Sequence, residues 1–129
     1  MANVLVTGGS GMLGRHLVPI LEKTGHLVYA PDRDELDLTD SLATLSYLKS
    51  IKIDTVIHCA AYVSGIASNT TTKHHSFDSN VMMGLNLIRA CIELEIKNMI
   101  NVGSATVYPN DAPQPLREES LGSGGFEGP

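Results

Sequence analysis

The feature that most constrains the fold is an apolar segment that runs directly into a glycine-rich turn near the start of the chain. Val4-Leu-Val6 is followed by Thr7-Gly-Gly-Ser-Gly-Met-Leu-Gly14, and amphipathic spacing begins straight afterwards. A short apolar run, a glycine turn and then a helical period indicate a buried parallel strand that enters a helix through a tight loop. In this pattern Gly8 allows the turn, Gly11 allows a ligand to approach the backbone and Gly14 allows the helix to pack closely on the strand.

The position of this turn favours a bound dinucleotide. The N–H groups at the start of a helix carry a partial positive charge, and a pyrophosphate binds well there. A glycine-rich turn without a ligand is the alternative interpretation. The strand before the turn and the strand–helix unit after it favour dinucleotide binding.

Strand-like and helix-like segments alternate along the rest of the chain. Strands are predicted at 4–6, 27–30, 55–61 and 98–103, and helices at 12–23, 41–50 and 77–95. This alternation predicts an α/β fold with a Rossmann-type, doubly wound parallel sheet, for which we expect the strand order 3-2-1-4. We expect residues 1–108 to form this NAD(P)-binding domain. Residues 109–129, of which eight are Pro or Gly, are expected to be irregular.

The first two predicted helices each carry one apolar stripe that we expect to face the core. Pro19 lies inside the first helix, so we expect a bend there. Asp40 or Ser41 is expected to cap the second helix. The stripes are Leu13, Leu17, Ile20 and Leu21 in the first helix, and Leu42, Leu45 and Leu48 in the second.

The helix predicted at 77–95 is apolar on two faces. Because a helix that is apolar on two sides is covered on two sides, one face should meet the sheet and the other a neighbouring helix or a second subunit. We therefore expect a homodimer through this helix. The two faces are Phe77, Val81, Leu85, Ile88 and Ile92, and Met83, Leu87, Cys91 and Leu94.

Composition excludes several classes of function. A net charge of −5 and a pI near 5.4 argue against nucleic-acid binding, and no apolar run approaches a membrane span. Met1-Ala-Asn leads directly into a strand, so we expect no signal peptide and a cytoplasmic protein. Cys59 and Cys91 are expected to be buried thiols without a disulfide, and His74 and His75 to be surface residues. No metal site is predicted.

Two charged residues bear on the choice of cofactor. Asp32 and Arg33 follow the second strand, about 20 residues after the glycine turn, where this architecture reads the adenosine ribose. Asp32 favours NAD, because its carboxylate accepts hydrogen bonds from both ribose hydroxyls. Arg33 favours NADP, because a guanidinium pairs with a 2′-phosphate. The third possibility is that both residues are solvated charges in a loop and bind no cofactor.

Together these motifs resemble the extended short-chain dehydrogenase/reductases, which are NAD(P)-dependent sugar-nucleotide epimerases, dehydratases and reductases. The resemblance is carried by Thr7-Gly-x-x-Gly11-x-x-Gly14, Asp37-Leu38, His58-Cys-Ala-Ala61, Asn80 and Gly103-Ser-Ala-Thr-Val-Tyr108. Within this family the GDP-L-fucose synthases are most similar, on Arg33-Asp-Glu-Leu36, Val63-x-Gly-Ile66 with Asn69, Ser104 to Pro109, and Gly125-Phe-Glu-x-Pro129. The dTDP-4-dehydrorhamnose reductases share Asp32-Arg33 and Leu36-Asp-Leu-Thr39.

The resemblance implies a role for each matching residue. Asp37 and Leu38 would hold the adenine, and Ser104 would bind the reacting sugar oxygen. Thr106 stands where fucose synthases carry a cysteine that transfers protons in epimerisation, and a hydroxyl is too weak an acid or base for that role at neutral pH. The pyrophosphate would be held by Gly8, Ser10, Gly11, Met12, Leu13 and Gly14, and the nicotinamide side by Ala60, Ala61, Tyr62, Asn80 and Val102.

The resemblance also bears on the cofactor and on catalysis. Ser10 replaces an arginine that some relatives place near the 2′-phosphate, whereas Arg33 matches the other phosphate-binding arginine, so NADP is expected and NAD is the alternative. The family's catalytic Tyr-x-x-x-Lys pair is absent from the 129 residues. By motif spacing we expect it to begin within about ten residues beyond Pro129.

The expected function is that of an NADP(H)-dependent sugar-nucleotide epimerase/reductase whose dinucleotide-binding part this chain supplies. A nucleotide sugar is the expected substrate of the full-length protein. By itself the chain is expected to be inactive, because general acid–base catalysis contributes roughly 10²–10⁴-fold to rate. The alternatives are a non-catalytic dinucleotide-binding module, an inactive fragment, and a dTDP-4-dehydrorhamnose reductase-like or other epimerase/dehydratase.

Overall fold

The fold is a parallel β-sheet flanked by helices, as a computed structural model of residues 1–63 and 73–124 shows. Its α/β, Rossmann-type class confirms the prediction from sequence. The strands are β1 (Asn3–Thr7), β2 (Leu27–Tyr29), β3 (Thr55–His58) and β4 (Asn98–Asn101). The α-helices of the described ranges are α1 (Gly14–Lys23), α2 (Ser41–Ser50) and α3 (Lys73–Glu93). Short 3₁₀ turns follow at Ala105–Val107 and Glu118–Ser120.

The strand order is β2-β1-β3-β4, so the expected order 3-2-1-4 is wrong. Leu5 of β1 pairs in parallel with Tyr29 on one side and with Val56 on the other. The strand predicted third, which is β3, therefore pairs with β1 and not with β2. After β2 the chain passes through α2 and returns to the other side of β1, so β1 lies between β2 and β3.

This order creates a divergence at the carboxyl edge of the sheet. The chain moves from β1 to β2 in one direction and then returns past β1 to β3. Right-handed crossovers therefore place α1 on one face of the sheet and α2 on the other, where α2 contacts α3. The connections that leave β1 and β3 run in opposite directions, which is the topology that opens a ligand crevice in an open parallel sheet.

The core lies between the sheet and the α2–α3 face. Leu5, Val6 and Val56 are fully buried in the two central strands. Val6 is not part of the buried cluster that Leu5 and Val56 form with residues of the α2–α3 side, which are Leu36, Leu38, Leu48, Leu87, Ala90 and Cys91. The burial of Cys91 agrees with the sequence prediction, whereas Cys59 is only partly buried. Both cysteines are free thiols.

The inward stripes predicted for α1 and α2 are correct only in part. In α1, Leu17 and Leu21 are half-buried, but Leu13 and Ile20 are exposed. The helix begins only at Gly14, so Leu13 belongs to the loop, and Ile20 faces away from the sheet. Pro19 does lie inside α1, and the bend expected there stays a prediction.

In α2 the inward face is set by Thr44 and Leu48, which are four residues apart and buried. Leu42 is exposed, because it lies roughly 200° around the helix from Thr44. Leu45 is half-buried against the core. The predicted cap is confirmed: the Asp40 carboxylate accepts hydrogen bonds from the backbone N–H groups of residues 42 and 43.

α3 has the two apolar faces predicted for it, although it begins at residue 73 and ends at residue 93. Met83, Leu87, Cys91 and Leu94 belong to or pack on the core. Phe77, Val81, Leu85, Ile88 and Ile92 are exposed. Within residues 1–63 and 73–124 no helix has the length and apolar character needed to cross a membrane.

Two stretches of the resemblance fall outside the described residues. One is Gly65 to Asn69, which follows Val63, and the other is Gly125 to Pro129.

Two glycines provide a matched test of the fold. A Cβ at Gly14 would collide with the backbone of Gly8 and Gly9, which no side-chain rotation can relieve, whereas a Cβ at Gly84 in α3 would meet open space. We expect Gly14→Ala to lower the free energy of unfolding by about 1–3 kcal/mol. Gly84→Ala should raise it by about 0.5–1 kcal/mol through helix propensity. Urea denaturation of both variants measures the difference, and equal effects would contradict the packing described for Gly14.

Candidate functional site

A crevice of about 820 Å³ lies at the carboxyl ends of β1 and β3. Most of the residues predicted to bind a cofactor line it together. These are Gly8, Ser10, Gly11, Met12, Leu13, Asp32, Arg33, Asp37, Leu38, Ala60, Ala61, Tyr62 and Val102. Four predicted site residues are not in its lining: Gly14, Asn80, Ser104 and Thr106.

The glycine turn sits directly against the loop that follows β3. Gly8 adopts the left-handed conformation with φ of 69°, and a Cβ built on it would lie 2.7 Å from the backbone nitrogen of Ala60. The Gly11 N–H donates to the Gly8 carbonyl at 3.0 Å and closes the turn. Side chains are therefore excluded where the two loops meet, and the crevice floor there is bare backbone.

A buried polar pair joins the two central strands beneath this contact. Thr7 Oγ1 lies 2.7 Å from His58 Nδ1 and accepts a hydrogen bond from the Ala60 N–H at 3.3 Å. His58 is only 5% exposed, and burial lowers the pKa of its imidazole, so the ring is neutral at pH 7. The pair therefore ties the end of β1 to the end of β3 where the two loops diverge.

The Asp32 carboxylate is committed to its own turn. Its Oδ1 accepts hydrogen bonds from the N–H groups of Asp34 and Glu35, each at 2.9 Å. Glu35 Oε2 in return accepts the Asp32 N–H at 3.0 Å. This reciprocal arrangement has the hydrogen-bond pattern of a capping box, but here it closes a turn that no helix follows directly. It holds Asp32 in place while the neighbouring Arg33 is exposed at the crevice.

Asp37 is a fixed carboxylate on the same side of the crevice. Its Oδ1 accepts from the backbone N–H of Thr39 at 2.9 Å and from Thr39 Oγ1 at 2.7 Å. These hydrogen bonds lower the pKa of Asp37, with a smaller contribution from the charge of Arg33. A carboxylate is thus available to accept a hydrogen bond from a ligand.

The opposite end of the crevice is shaped by Tyr62. Asn80 of α3 accepts the Tyr62 N–H at 2.7 Å and donates Nδ2 to the Tyr62 carbonyl at 3.1 Å. The Tyr62 ring meets the His75 ring edge-on, with centroids 4.9 Å apart. Asn80 therefore fixes the backbone of a lining residue without lining the crevice itself. His74 and His75 are exposed, as predicted.

Ser104 and Thr106 follow β4 at the same edge of the sheet. Ser104 caps the first 3₁₀ turn, and its Oγ lies 2.9 Å from Thr106 Oγ1. Both residues are exposed. The Val102 N–H donates to the His58 carbonyl at 3.1 Å, which carries the pairing of β3 and β4 up to the crevice.

Cys59 also lines the crevice, and burial raises the pKa of its thiol, so it is protonated at neutral pH. No group of three or more potential metal ligands occurs among residues 1–63 and 73–124.

Sequence reasoning did not assign eight of the lining residues to a cofactor site: Thr7, Pro31, Leu36, Thr39, Cys59, Val63, Ser79 and Met83. Ser79 and Met83 are four residues apart on α3, so the helical period placed them on one face. Thr7 and Cys59 lie at the ends of β1 and β3, and their proximity follows from the strand order that was predicted wrongly.

The parallel sheet and the glycine turn at its point of divergence define a Rossmann-type domain. Residues 4–129 match the NAD dependent epimerase/dehydratase family, and the chain belongs to that family. This confirms the resemblance seen in the sequence.

Three known proteins illustrate the similarity. A GDP-L-fucose synthase of Azorhizobium caulinodans is 34% identical over 124 residues, which are 96% of this chain and 40% of that protein. A GDP-L-colitose synthase of Yersinia pseudotuberculosis is 32% identical over the same shares of the two chains. The structure of MlghC, a GDP-mannoheptose C4 reductase from Campylobacter jejuni with NADP bound, is 29% identical, with a TM-score of 0.87 over 98% of this chain and 40% of that one. The chain spans about 40% of the length of the curated relatives it matches.

The buried His58 makes stability depend on pH. Because burial lowers the pKa of His58 in the folded chain, the unfolded chain binds the extra proton at a higher pH. The contribution of the neutral ring is fully present above the unfolded value of about 6.5 and is lost as the pH falls below it.

We expect the urea midpoint to fall between about pH 7.5 and about pH 5.5, and His58→Asn, which does not titrate, to reduce that fall. Exposed His74, replaced by Asn, is the matched control and should keep the wild-type pH dependence. An unchanged pH dependence in His58→Asn would show that His58 is not the group responsible.

Proposed function

We propose that this chain binds NADP(H) in the crevice at the ends of β1 and β3, and that it forms the cofactor-binding part of a sugar-nucleotide epimerase/reductase. The observation that carries the proposal is the glycine turn, which lies against the β3 loop at the divergence of the sheet. Backbone there is open to a pyrophosphate, and Gly8, Ser10, Gly11, Met12 and Leu13 line that part of the crevice.

The preference for NADP(H) over NAD(H) rests on Asp32 and Arg33. NAD recognition uses an acidic side chain that is free to accept from both ribose hydroxyls. Here Oδ1 of Asp32 already accepts hydrogen bonds from two backbone N–H groups, which leaves Oδ2 alone for ribose hydroxyls. Arg33 remains as an exposed cation at the crevice and is suited to a 2′-phosphate.

The remaining lining residues are proposed to contact different parts of a bound dinucleotide. Asp37 and Leu38 are proposed to hold the adenine, with the Asp37 carboxylate accepting from its exocyclic amino group. Ala60, Ala61, Tyr62 and Val102 would line the nicotinamide side, where small side chains let the cofactor lie against backbone. Asn80 is proposed to act through the backbone of Tyr62. Gly14 would act through the packing of α1 under the turn.

We propose a nucleotide sugar, of the GDP-linked class, as substrate of the whole protein, because the relatives named above are GDP-sugar synthases and a reductase. The cofactor would supply or accept hydride. Ser104 would hydrogen-bond the reacting sugar oxygen, and Thr106 would hold the Ser104 hydroxyl in position. Because the Thr106 hydroxyl is a poor acid and base at neutral pH, reduction is favoured over epimerisation.

A non-catalytic, dinucleotide-binding module is the second candidate for the chain by itself. It is favoured by the sequence, since none of the four tyrosines is followed four positions later by lysine. We therefore expect the 129-residue chain to bind cofactor without turnover. A cytoplasmic location fits either candidate.

Cofactor preference is the direct test. We expect the chain to bind NADPH more tightly than NADH, measured by the nicotinamide fluorescence of the bound dinucleotide. Arg33→Ala should weaken NADPH binding by about tenfold and leave NADH binding unchanged, because charge-assisted hydrogen bonds to the 2′-phosphate are lost. Arg89→Ala removes an exposed arginine of α3 outside the crevice lining and is the matched control. Tighter binding of NADH than of NADPH would contradict the proposal, and absence of binding to either would overturn it.

We also propose that the outer face of α3 mediates self-association of the chain. Five apolar side chains are exposed there at helical spacing: Phe77, Val81, Leu85, Ile88 and Ile92. Exposed apolar surface on this scale is typical of an interface between subunits.

A charge on this face should separate the subunits. We expect Ile88→Glu to convert a concentration-dependent dimer to a monomer in sedimentation velocity, because burial of a carboxylate in an apolar contact is strongly unfavourable. Leu42→Glu, at an exposed leucine of α2, should leave the dimer intact. A wild-type chain that is monomeric at every concentration would refute self-association through α3.

A further inference from the structure

The side chain of Asn86 has an unusual environment for a polar group in the core of this chain. It lies on the inner face of α3 and is only 2% exposed. Its Nδ2 donates to the Leu38 carbonyl at 2.9 Å and to the Thr39 carbonyl at 3.1 Å. Its Oδ1 is buried and has no hydrogen-bond partner. The amide group therefore donates both hydrogen bonds to one short segment of backbone, at Leu38 and Thr39.

The orientation of this amide is fixed by chemistry. Only the NH₂ group can donate, and two carbonyl oxygens lie opposite it. Rotating the amide by half a turn would place Oδ1 against both carbonyls and repel them. A side chain selected only to fill the core would not leave an acceptor buried and unpaired, because that carries a desolvation cost. The two donated hydrogen bonds are therefore the contribution of Asn86 that offsets this cost.

The segment that Asn86 holds is the strap of residues 36–39, which forms one wall of the crevice. Leu36 and Leu38 anchor the strap from below, at 5% and 6% exposure. Asp37 lies between them, is exposed and accepts two hydrogen bonds from Thr39. The direction in which the strap presents Asp37 depends on the backbone that follows it, which includes the Leu38 and Thr39 carbonyls.

The hydroxyl of Thr44 lies near one of these carbonyls but does not replace Asn86 there. Thr44 Oγ1 is 3.5 Å from the Leu38 carbonyl, but it lies 2.7 Å from the Asp40 carbonyl and has one hydrogen to give. The short bond to Asp40 takes that hydrogen. The Leu38 carbonyl thus relies on Asn86.

We infer that Asn86 is a positioning residue for adenine recognition: by holding the Leu38 and Thr39 carbonyls, it sets the strap so that the Asp37 carboxylate meets the exocyclic amino group of the adenine. The inference rests on the proposed dinucleotide site and adds a residue that does not line the crevice. Asn86 acts from the buried side of the strap and touches no part of the ligand.

The test compares NADPH with its hypoxanthine analogue, which has a carbonyl in place of the exocyclic amino group. A carboxylate accepts a hydrogen bond from the first and repels the second. We expect the wild-type chain to prefer NADPH by about tenfold in Kd, a size typical of a hydrogen bond to a charged group. Asp37→Asn should lower this ratio toward one.

The informative variants are at Asn86. Asn86→Leu keeps the approximate shape and removes both donated bonds, and it should lower the NADPH-to-analogue preference to about threefold or less, because the Asp37 carboxylate is no longer held in register. Asn86→Ser admits water to the two carbonyls and is the second variant if the leucine variant does not fold; the same loss of preference is expected. Cys91→Ala is a buried change on the same helix, about 140° around the axis from Asn86. It should destabilise the chain and keep the wild-type ratio.

Each outcome separates the two proposals. If the wild-type chain fails to bind NADPH, the proposed function fails and the role of Asn86 falls with it. If the wild-type chain binds NADPH and a folded Asn86 variant keeps the wild-type preference, the role of Asn86 is overturned alone. It is also overturned if the wild-type chain does not distinguish NADPH from the analogue, or if Cys91→Ala lowers the preference as much as the Asn86 variants do.

Discussion

The contact between the glycine turn after β1 and the loop after β3 determines much of the remaining structure. Gly8 adopts a left-handed conformation and lies so close to Ala60 that no Cβ fits between them. Directly below, the hydroxyl of Thr7 bridges the His58 ring and the Ala60 N–H. Two neighbouring strands thereby end in loops that touch at their base and separate above it. The crevice exists because backbone, and not side chain, fills the point of divergence.

The local features of this arrangement were predictable from sequence, whereas its long-range geometry was not. The apolar run to Thr7, the three glycines and the cap at Asp40 depend on neighbours a few residues away, and their roles follow from rules of strand, turn and helix chemistry. Strand order depends on which side of β1 each crossover returns to. That choice is made by pairing between strands about 50 residues apart, such as Leu5 with Val56, and it leaves no periodic signal in the sequence.

The same distinction holds at the crevice. The sequence motifs contain most of the residues that line the crevice, because these motifs lie at the carboxyl ends of strands. Asn80 was assigned to the cofactor by resemblance, but its amide bonds the backbone of Tyr62. Asn86 carried no signal at all, since a single asparagine in a mostly apolar helix gives no indication of the carbonyls it meets some 47 residues earlier in the chain.

α3 therefore functions as a spacer between the two ends of the crevice. Asn80 hydrogen-bonds the loop after β3, and Asn86 hydrogen-bonds the strap of residues 36–39. The two asparagines are six residues apart, which corresponds to about 9 Å along the helix axis. Because the helix is stiff, this separation is set by residue count and is insensitive to which side chains occupy the outer face. Substitutions on the outer face between the two asparagines leave this separation unchanged, while a one-residue insertion or deletion would rotate one of the two asparagines about 100° away from its partner. The distance between the two ends of the crevice is thus set by the number of helical residues from Asn80 to Asn86.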